Sequence, residues 1–333
     1  MLVALAIVLA SAPSRAFASK LHELAPSARS FESDGTRYAA WQPRKGAPIV
    51  VLDTRTGDRR LVPAAGCELV DQGQRGFLDP LASAGRFQLF CKDGASQLLD
   101  ARTGTTIMLP TASGEWNTVG ARYVEGVAPM GTACNQSERE LTRGELCEAL
   151  YDIATGAVSF YPASHVLDLN RPGAPPVCQA LIYKLARKRA SGPAAAFTYS
   201  DGLLVQDTQR GGEVRIDRCH GRAILLHGRG VPGNFDVRGG LLTWDTGHDI
   251  GSVGEEDVSR GMLTGYRLRG GQRRTWKLPD LRLHLGPLES PVGVFGYSTH
   301  TATTVLWIAA RSTAPTEKGF IVATWAVYAA SFR

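Results

Sequence analysis

The chain writes one phrase three times: Asp53-Thr-Arg-Thr-Gly57, Asp100-Ala-Arg-Thr-Gly104 and Asp152-Ile-Ala-Thr-Gly156. An apolar run precedes each copy, and the run after each copy closes on a proline (Pro63, Pro110, Pro162). The intervals between the aspartates are 47 and 52 residues. Self-similarity at such a period marks an architecture built from one repeated supersecondary unit. The logic of the phrase is local. An aspartate side chain accepts from backbone amides two residues on, and glycine supplies the positive φ on which a hairpin closes. The aspartates are therefore expected to be structural rather than catalytic. A unit of strand, turn and strand at this period predicts an all-β fold, a β-propeller.

Reading outward from the phrase gives six units over residues 30–333, about 50 residues each. The first runs Arg37-Tyr-Ala-Ala-Trp41, Pro48-Ile-Val-Val-Leu52, the Asp53 turn and Arg59-Arg-Leu-Val62. The second carries Arg86–Phe90, Gln97–Leu99 and Thr106–Leu109; the third carries Ala121–Val124, Glu148–Tyr151 and Val158–Tyr161. In the fourth, Asp207-Thr-Gln-Arg-Gly211 reads as a degenerate copy of the turn, 55 residues beyond Asp152. The fifth holds Gly240–Trp244, a long polar insertion, and Thr264–Leu268 before Gly270-Gly271; it is stretched enough to hide a seventh blade. The sixth shows Val292–Phe295, Thr304–Ala309 and Phe320–Tyr328. Only Gln179–Arg189 reads as a short helix, and no linker divides the chain, so residues 19–333 are expected to form one domain.

Two segments, Asp34-Gly-Thr-Arg-Tyr-Ala-Ala-Trp41 and Ile49-Val-Val-Leu-Asp-Thr-Arg-Thr-Gly57, resemble the blade motif of TolB-type, WD-repeat-like propellers. The resemblance covers most of the chain as a repeat grammar and is strongest in the first two or three units. It implies a six-bladed propeller with a central channel, often periplasmic or secreted. It is specific for architecture and not for function, because the family includes both binding scaffolds and peptidase-associated propellers.

Leu2 to Ala12 is almost wholly apolar, Pro13-Ser-Arg15 ends the run, and Ala16-Phe-Ala18 fits a signal-peptidase site. Residues 1–18 are expected to be a signal peptide, although no basic residue precedes Arg15, and the run is too short to span a bilayer. Export and an even set of six cysteines together favour disulfides. No Cys-x-x-Cys pair suggests zinc. Neighbour pairing gives Cys67–Cys91, Cys134–Cys147 and Cys178–Cys219, the last being the weakest of the three. The protein is expected outside the cytoplasm, secreted or in the periplasm or cell envelope. The net charge of +6 is scattered rather than striped, which argues against a nucleic-acid partner; the run Lys184, Arg187, Lys188, Arg189 reads as a solvated loop.

Signatures of common hydrolases, nucleotide binders and zincins are missing. Gly228-Arg-Gly-Val-Pro-Gly233 matches a dinucleotide fingerprint by letter, but no helical pattern follows it, so the run is expected to form turns. Asp245, His248, Asp249, Glu255, Glu256 and Asp257 crowd the fifth unit. Oxygen-rich loops hold Ca²⁺, but alternating acidic spacing is missing, so a solvated binding loop is the expectation. The seven histidines (His22, His165, His220, His227, His248, His284, His300) are dispersed. The tryptophans (Trp41, Trp116, Trp244, Trp276, Trp307, Trp325) are expected to pack between blades. Asn135-Gln-Ser137 matches a glycosylation sequon, to which the bacterial source implied by the TolB-type resemblance gives little weight. No catalytic residue, metal ligand or cofactor is assigned. The expected function is a non-enzymatic binding module, monomeric and without a membrane span. Its protein partner would meet one propeller face, where insertions 136–146 and 247–261 gather. The alternative is an extracytoplasmic hydrolase or lactonase with its site in the central channel, with or without a Ca²⁺ dependence.

Overall fold

The computed structural model describes residues 20–70, 82–111, 115–129, 132, 147–162, 167–173, 197–200, 203–208, 212–218, 221–228, 231–253, 256–283, 296–315 and 321–332. All regular structure among them is β. The first strand, β1 (His22–Ala28), belongs to the last sheet; five sheets then follow in chain order. The first sheet contains β2 (Ser30–Ser33), β3 (Tyr38–Gln42), β4 (Ile49–Asp53) and β5 (Arg59–Val62). In the second, β6 (Cys67–Leu69) and β7 (Ala82–Ser83) share one side of β8 (Arg86–Cys91), with β9 (Ser96–Asp100) and β10 (Thr106–Met108) beyond. The third is β11 (Glu115–Val119), β12 (Tyr123–Val127), β13 (Cys147–Asp152) and β14 (Val158–Pro162). The fourth is β15 (Phe197–Ser200), β16 (Leu203–Asp207), β17 (Glu213–Arg218) and β18 (Ile224–His227).

The fifth sheet is β19 (Val231–Arg238), β20 (Leu241–Val253), β21 (Glu256–Arg267) and β22 (Arg273–Lys277), with β23 (Leu281–Leu283) on the far end of β21. The sixth orders β24 (Gly296–His300), β25 (Thr304–Pro315), β26 (Ile321–Ser331) and β1. In each sheet the chain steps from an inner strand outward, and the sixth is completed by the start of the chain. This is a β-propeller.

Where a sheet is sandwiched between two others, its strands are apolar on both sides. In β4, Ile49 and Val51 pack with Val62, Leu69, Phe87 and Leu99, between the first and second sheets. Leu52 points the other way, into a cluster with Leu24, Phe31, Trp41, Leu306 and Val327 between the sixth and first. Comparable clusters join the second sheet to the third, the fourth to the fifth, and the fifth to the sixth. Trp41, Trp116, Trp244, Trp276 and Trp307 are buried in these seams and Trp325 is partly buried against one, as the sequence predicts.

The repeated phrase closes the hairpin between the third and fourth strands. Asp53 Oδ1 accepts from Arg55 N (3.0 Å), and Gly57, at φ 82°, donates its amide to Asp53 O (2.8 Å). Asp100 and Asp152 repeat the arrangement. Arg37 and Arg122 reach Asp53 and Asp152 at 2.8 and 2.7 Å.

Three sequence expectations need correction. The segment after Asp207 joins the second and third strands of its sheet, whereas the Asp53 turn joins the third and fourth; spacing alone does not distinguish the two ends of a strand. The polar insertion of the fifth unit is not a loop. It is a continuation of β20 and β21 as a paired hairpin, with His248 opposite Arg260 and Ser252 opposite Asp257, and this accounts for the unit's excess length. Val231-Pro-Gly233 lies in β19 rather than in a turn.

Cys67 and Cys91 are directly opposite across β6 and β8 and form a disulfide. Cys147 is also disulfide-bonded. Cys134, Cys178 and Cys219, the helix expected at 179–189, the insertion 136–146 and the segment 1–18 lie outside the described residues. Changing Cys67 and Cys91 together to serine should lower unfolding stability by about 3 kcal/mol, the chain entropy of a loop of this size. Urea unfolding of the oxidised proteins measures it, and an unchanged midpoint would contradict it.

Candidate functional site

The inner strands end in polar residues: Glu32-Ser33 on β2, Asp236 and Arg238 on β19, Ser298-Thr-His300 on β24. All are buried. A strand facing the narrow centre of a ring has no apolar partner sheet on that side, so these positions must satisfy one another.

Arg238 is the centre of the group. Its Nε and Nη2 take the two carboxylate oxygens of Asp236 at 2.8 and 2.6 Å, a bidentate pairing within one strand. Nη2 also donates to Thr299 Oγ1 (2.7 Å) and Ser33 Oγ (3.1 Å), while Nη1 donates to Ser33 O and to Ala82 O (2.9 Å). One side chain of the fifth sheet thus binds the sixth, the first and the second. Asp34 continues the connection: its Oδ1 accepts from the amides of Thr36, Arg37 and Tyr38, and its Oδ2 accepts from Gly85 N of the second sheet (2.8 Å). Gln42 adds a further link, donating to Ala47 O (2.9 Å) and accepting from Leu69 N (3.2 Å).

Backbone shape makes room for the guanidinium. At Gly35 (φ 73°) a Cβ would lie 2.6 Å from Arg238 Cβ, so both conformation and space require glycine there.

The electrostatics follow from burial. Burial works against the charge of Arg238, but Asp236 and the more distant Glu32 outweigh it and its pKa rises above the ordinary value. Burial would likewise raise Asp236; Arg238, His300 and the hydrogen bonds from Arg238 and Thr299 bring it below the usual carboxylate range. His300 goes the other way, pushed down by burial and by Arg238 against the pull of Asp236, so the ring is neutral at pH 7.

Serine, histidine and aspartate therefore stand together, but not as a nucleophilic triad. Ser33 Oγ donates to the backbone carbonyl of His300 (2.7 Å), not to its ring, and His300 Nε2 is 3.9 Å from Asp236 Oδ2. A general base must be within hydrogen-bond reach of the proton it takes. The arrangement instead binds inner strands of four sheets to one another. Of the histidines named from sequence, His300 alone enters this group; His22 and His227 lie at the surface or partly so, and the other side chains are outside the described residues. Of the acidic set in the fifth unit, Asp245 is buried in β20, and the register places His248, Asp249, Glu256 and Asp257 along the extended hairpin. Among the described residues, no three His, Cys, Asp or Glu side chains are grouped to hold a metal ion, and no helix is long and apolar enough to cross a membrane. Sequence reading missed Asp236 and Arg238 because two charges at the end of one strand look like solvated residues. The one available signal was their position just before Gly239-Gly240, matching Glu32-Ser33 before Asp34-Gly35.

No protein-family model matches the chain, and no curated protein does. Among solved structures it is similar to the WD40 repeats of RRP9 (11% identity over 95% of this chain and 99% of that one, TM-score 0.32). It is also similar to streptogramin B lyase (11%, 93% and 97%, TM-score 0.28) and to BamB from Moraxella catarrhalis (14%, 89% and 80%, TM-score 0.27). At these scores the likeness carries no functional argument.

Replacing Arg238 by methionine strands a buried carboxylate and should cost about 3–5 kcal/mol. Adding Asp236→Leu should recover most of that loss in a denaturation double-mutant cycle; simple additivity would contradict the pairing. The depressed His300 pKa means that the unfolded chain binds its proton first as pH falls. Stability from His300 should be complete above about pH 6.5 and decline below it, with a second decline below about pH 3.8 as Asp236 protonates. Urea unfolding between pH 8 and 3 reads both, and His300→Gln should abolish the first.

Proposed function

We propose that this protein is an exported propeller that works as a non-enzymatic binding module, and that its partner meets the end of the ring opposite the Arg238 network. The observation that carries this reading is a pair of hairpins that outgrow the common frame. The inner strand β19 covers β20 only as far as Gly247, yet β20 and β21 continue paired out to Val253 and Glu256. Likewise β24 reaches Ala309, while β25 and β26 remain paired out to Pro315 and Ile321. Six residues of strand project on the order of 20 Å. Both hairpins join second and third strands of adjacent sheets, so both project at the same end, and β23 pairs with β21 while packing against β25. Two hairpins braced by a third strand form a ledge, and function commonly sits on elaborations that a core scaffold holds out.

At the other end of the inner strands, the convergent polar groups are largely spent on each other, with the buried His300 Nε2 lacking a hydrogen bond among the described residues, which gives the channel reading less support than the ledge. Export is supported by the Cys67–Cys91 disulfide and by the apolar run Leu2–Ala12 followed by Ala16-Phe-Ala18. The TolB-type likeness remains one of blade grammar.

The test is affinity capture from the native cell envelope with a tagged chain beginning at Ser19. A second chain has residues 248–257 replaced by an Asn-Gly turn. A stoichiometric partner held by the first and lost by the second, at equal melting temperature, is the expected result. Equal capture by both would move the partner surface elsewhere, and no capture by correctly oxidised protein would favour the extracytoplasmic hydrolase or lactonase reading.

A further inference from the structure

The seam between the fifth and sixth sheets opens at the rim into a cleft of about 560 Å³, lined by Lys20, Leu21, Arg274, Thr275, Trp276 and Lys277. Its floor is built: Trp276 is buried against Phe332, with ring centroids 5.9 Å apart, and Leu21 packs on the same cluster. Its walls are cationic, and among the described residues no acidic side chain lines it. Neighbouring cations are already committed, which sets these apart. Arg273, next in β22, turns to the opposite side, donating to His227 O and covering the Trp244 ring at 5.4 Å. Lys277 has one carboxylate nearby, Asp280 at 3.8 Å, in an exposed pairing that water screens. The cleft also runs along an edge. Strand β22 ends the fifth sheet, and no strand of the described residues pairs with its outer side.

An open strand edge offers backbone donors and acceptors to another extended chain, and flanking positive charge selects for a negative one. We infer that this cleft is a docking site for an extended acidic peptide segment of a protein partner, which adds along β22 and sets carboxylates against Lys20, Arg274 and Lys277. The inference rests on the binding-module reading only in taking a protein as the partner, and it concerns a surface apart from the hairpin ledge. Arg274 shares the Trp276 face of β22 and Lys277 lies three positions on, so acidic residues at every third position, which alternate between the two sides of an extended chain, suit the site best. Cations on an exposed edge also repel a second copy of the same edge, keeping it free for such a ligand.

The probe is a fluorescein-labelled ten-residue peptide with Glu at every third position and Thr between, titrated by anisotropy against the full oxidised chain at 50 mM NaCl. Saturable binding is expected, at least tenfold weaker for Arg274→Ser/Lys277→Ser and severalfold weaker for Lys20→Gln. Lys20 precedes the first strand, so its substitution reads the site without altering a sheet. Binding should be unchanged when residues 248–257 are shortened, which separates this site from the ledge, and should survive inorganic phosphate at the same charge concentration. Absence of binding, undiminished binding by the substituted chains, or loss on shortening the hairpin would overturn the inference. Displacement by phosphate would also overturn it, assigning the cleft to a small oxyanion.

Discussion

A ring of sheets is only as secure as the place where its two chain ends meet, and here that place is the pairing of β1 with β26. His22 stands opposite Ala329 and Ala28 opposite Trp325, so the outermost strand of the last sheet is supplied by the beginning of the chain. Without it, β26 would present an open edge. Leu24, Ala25 and Ala28 would also be missing from the cluster that joins the sixth sheet to the first. The first and sixth sheets are covered on both sides only because this seam is closed.

The inner end of the same seam is secured by different means. Thr54 of the first sheet meets Thr301 beside the sixth at 2.8 Å, Ala302 N donates to Thr36 O, and Arg238 reaches across from the fifth. Apolar packing secures the rim and charge-assisted hydrogen bonds secure the centre. The division has a geometric cause: strands converge toward the centre, where space suits directional contacts between short polar side chains, and diverge toward the rim, where bulky apolar residues fill the gap. A buried ion pair is an indifferent source of stability beside apolar packing, but it is exacting about geometry. Arg238 contacts the first, second and sixth sheets at once from the fifth, so its geometry is tied to how their inner strands stand beside one another.

Much of the fold was legible in residues 30–110. Asp34-Gly35, Asp53 to Gly57 and Asp100 to Gly104 are local devices whose geometry depends on neighbours a few residues away, so the letters suffice. The errors came where the same letters serve another connection. Asp207 begins a turn at the correct interval but between different strands, since chain spacing does not record which hairpin of a sheet a turn closes. The insertion at 247–261 was legible as an elaboration but not as strand, because its polar residues lack the alternation that one buried face imposes. The axial network was hidden for a related reason: Glu32, Asp236 and His300 are far apart in the chain, and only ring closure brings them together.

The sequence by itself determined the all-β class, the repeated hairpin and the placement of the tryptophans in seams, because each depends on local turn chemistry or on alternation along one strand. Tertiary structure decided which polar residues are buried together, that a serine, a histidine and an aspartate meet without forming a reactive set, and where the fifth and sixth sheets outgrow the rest. Those outcomes depend on contacts across tens to hundreds of residues, and the physical reason is closure: a position acquires its neighbours across the centre only once the last strand has found the first.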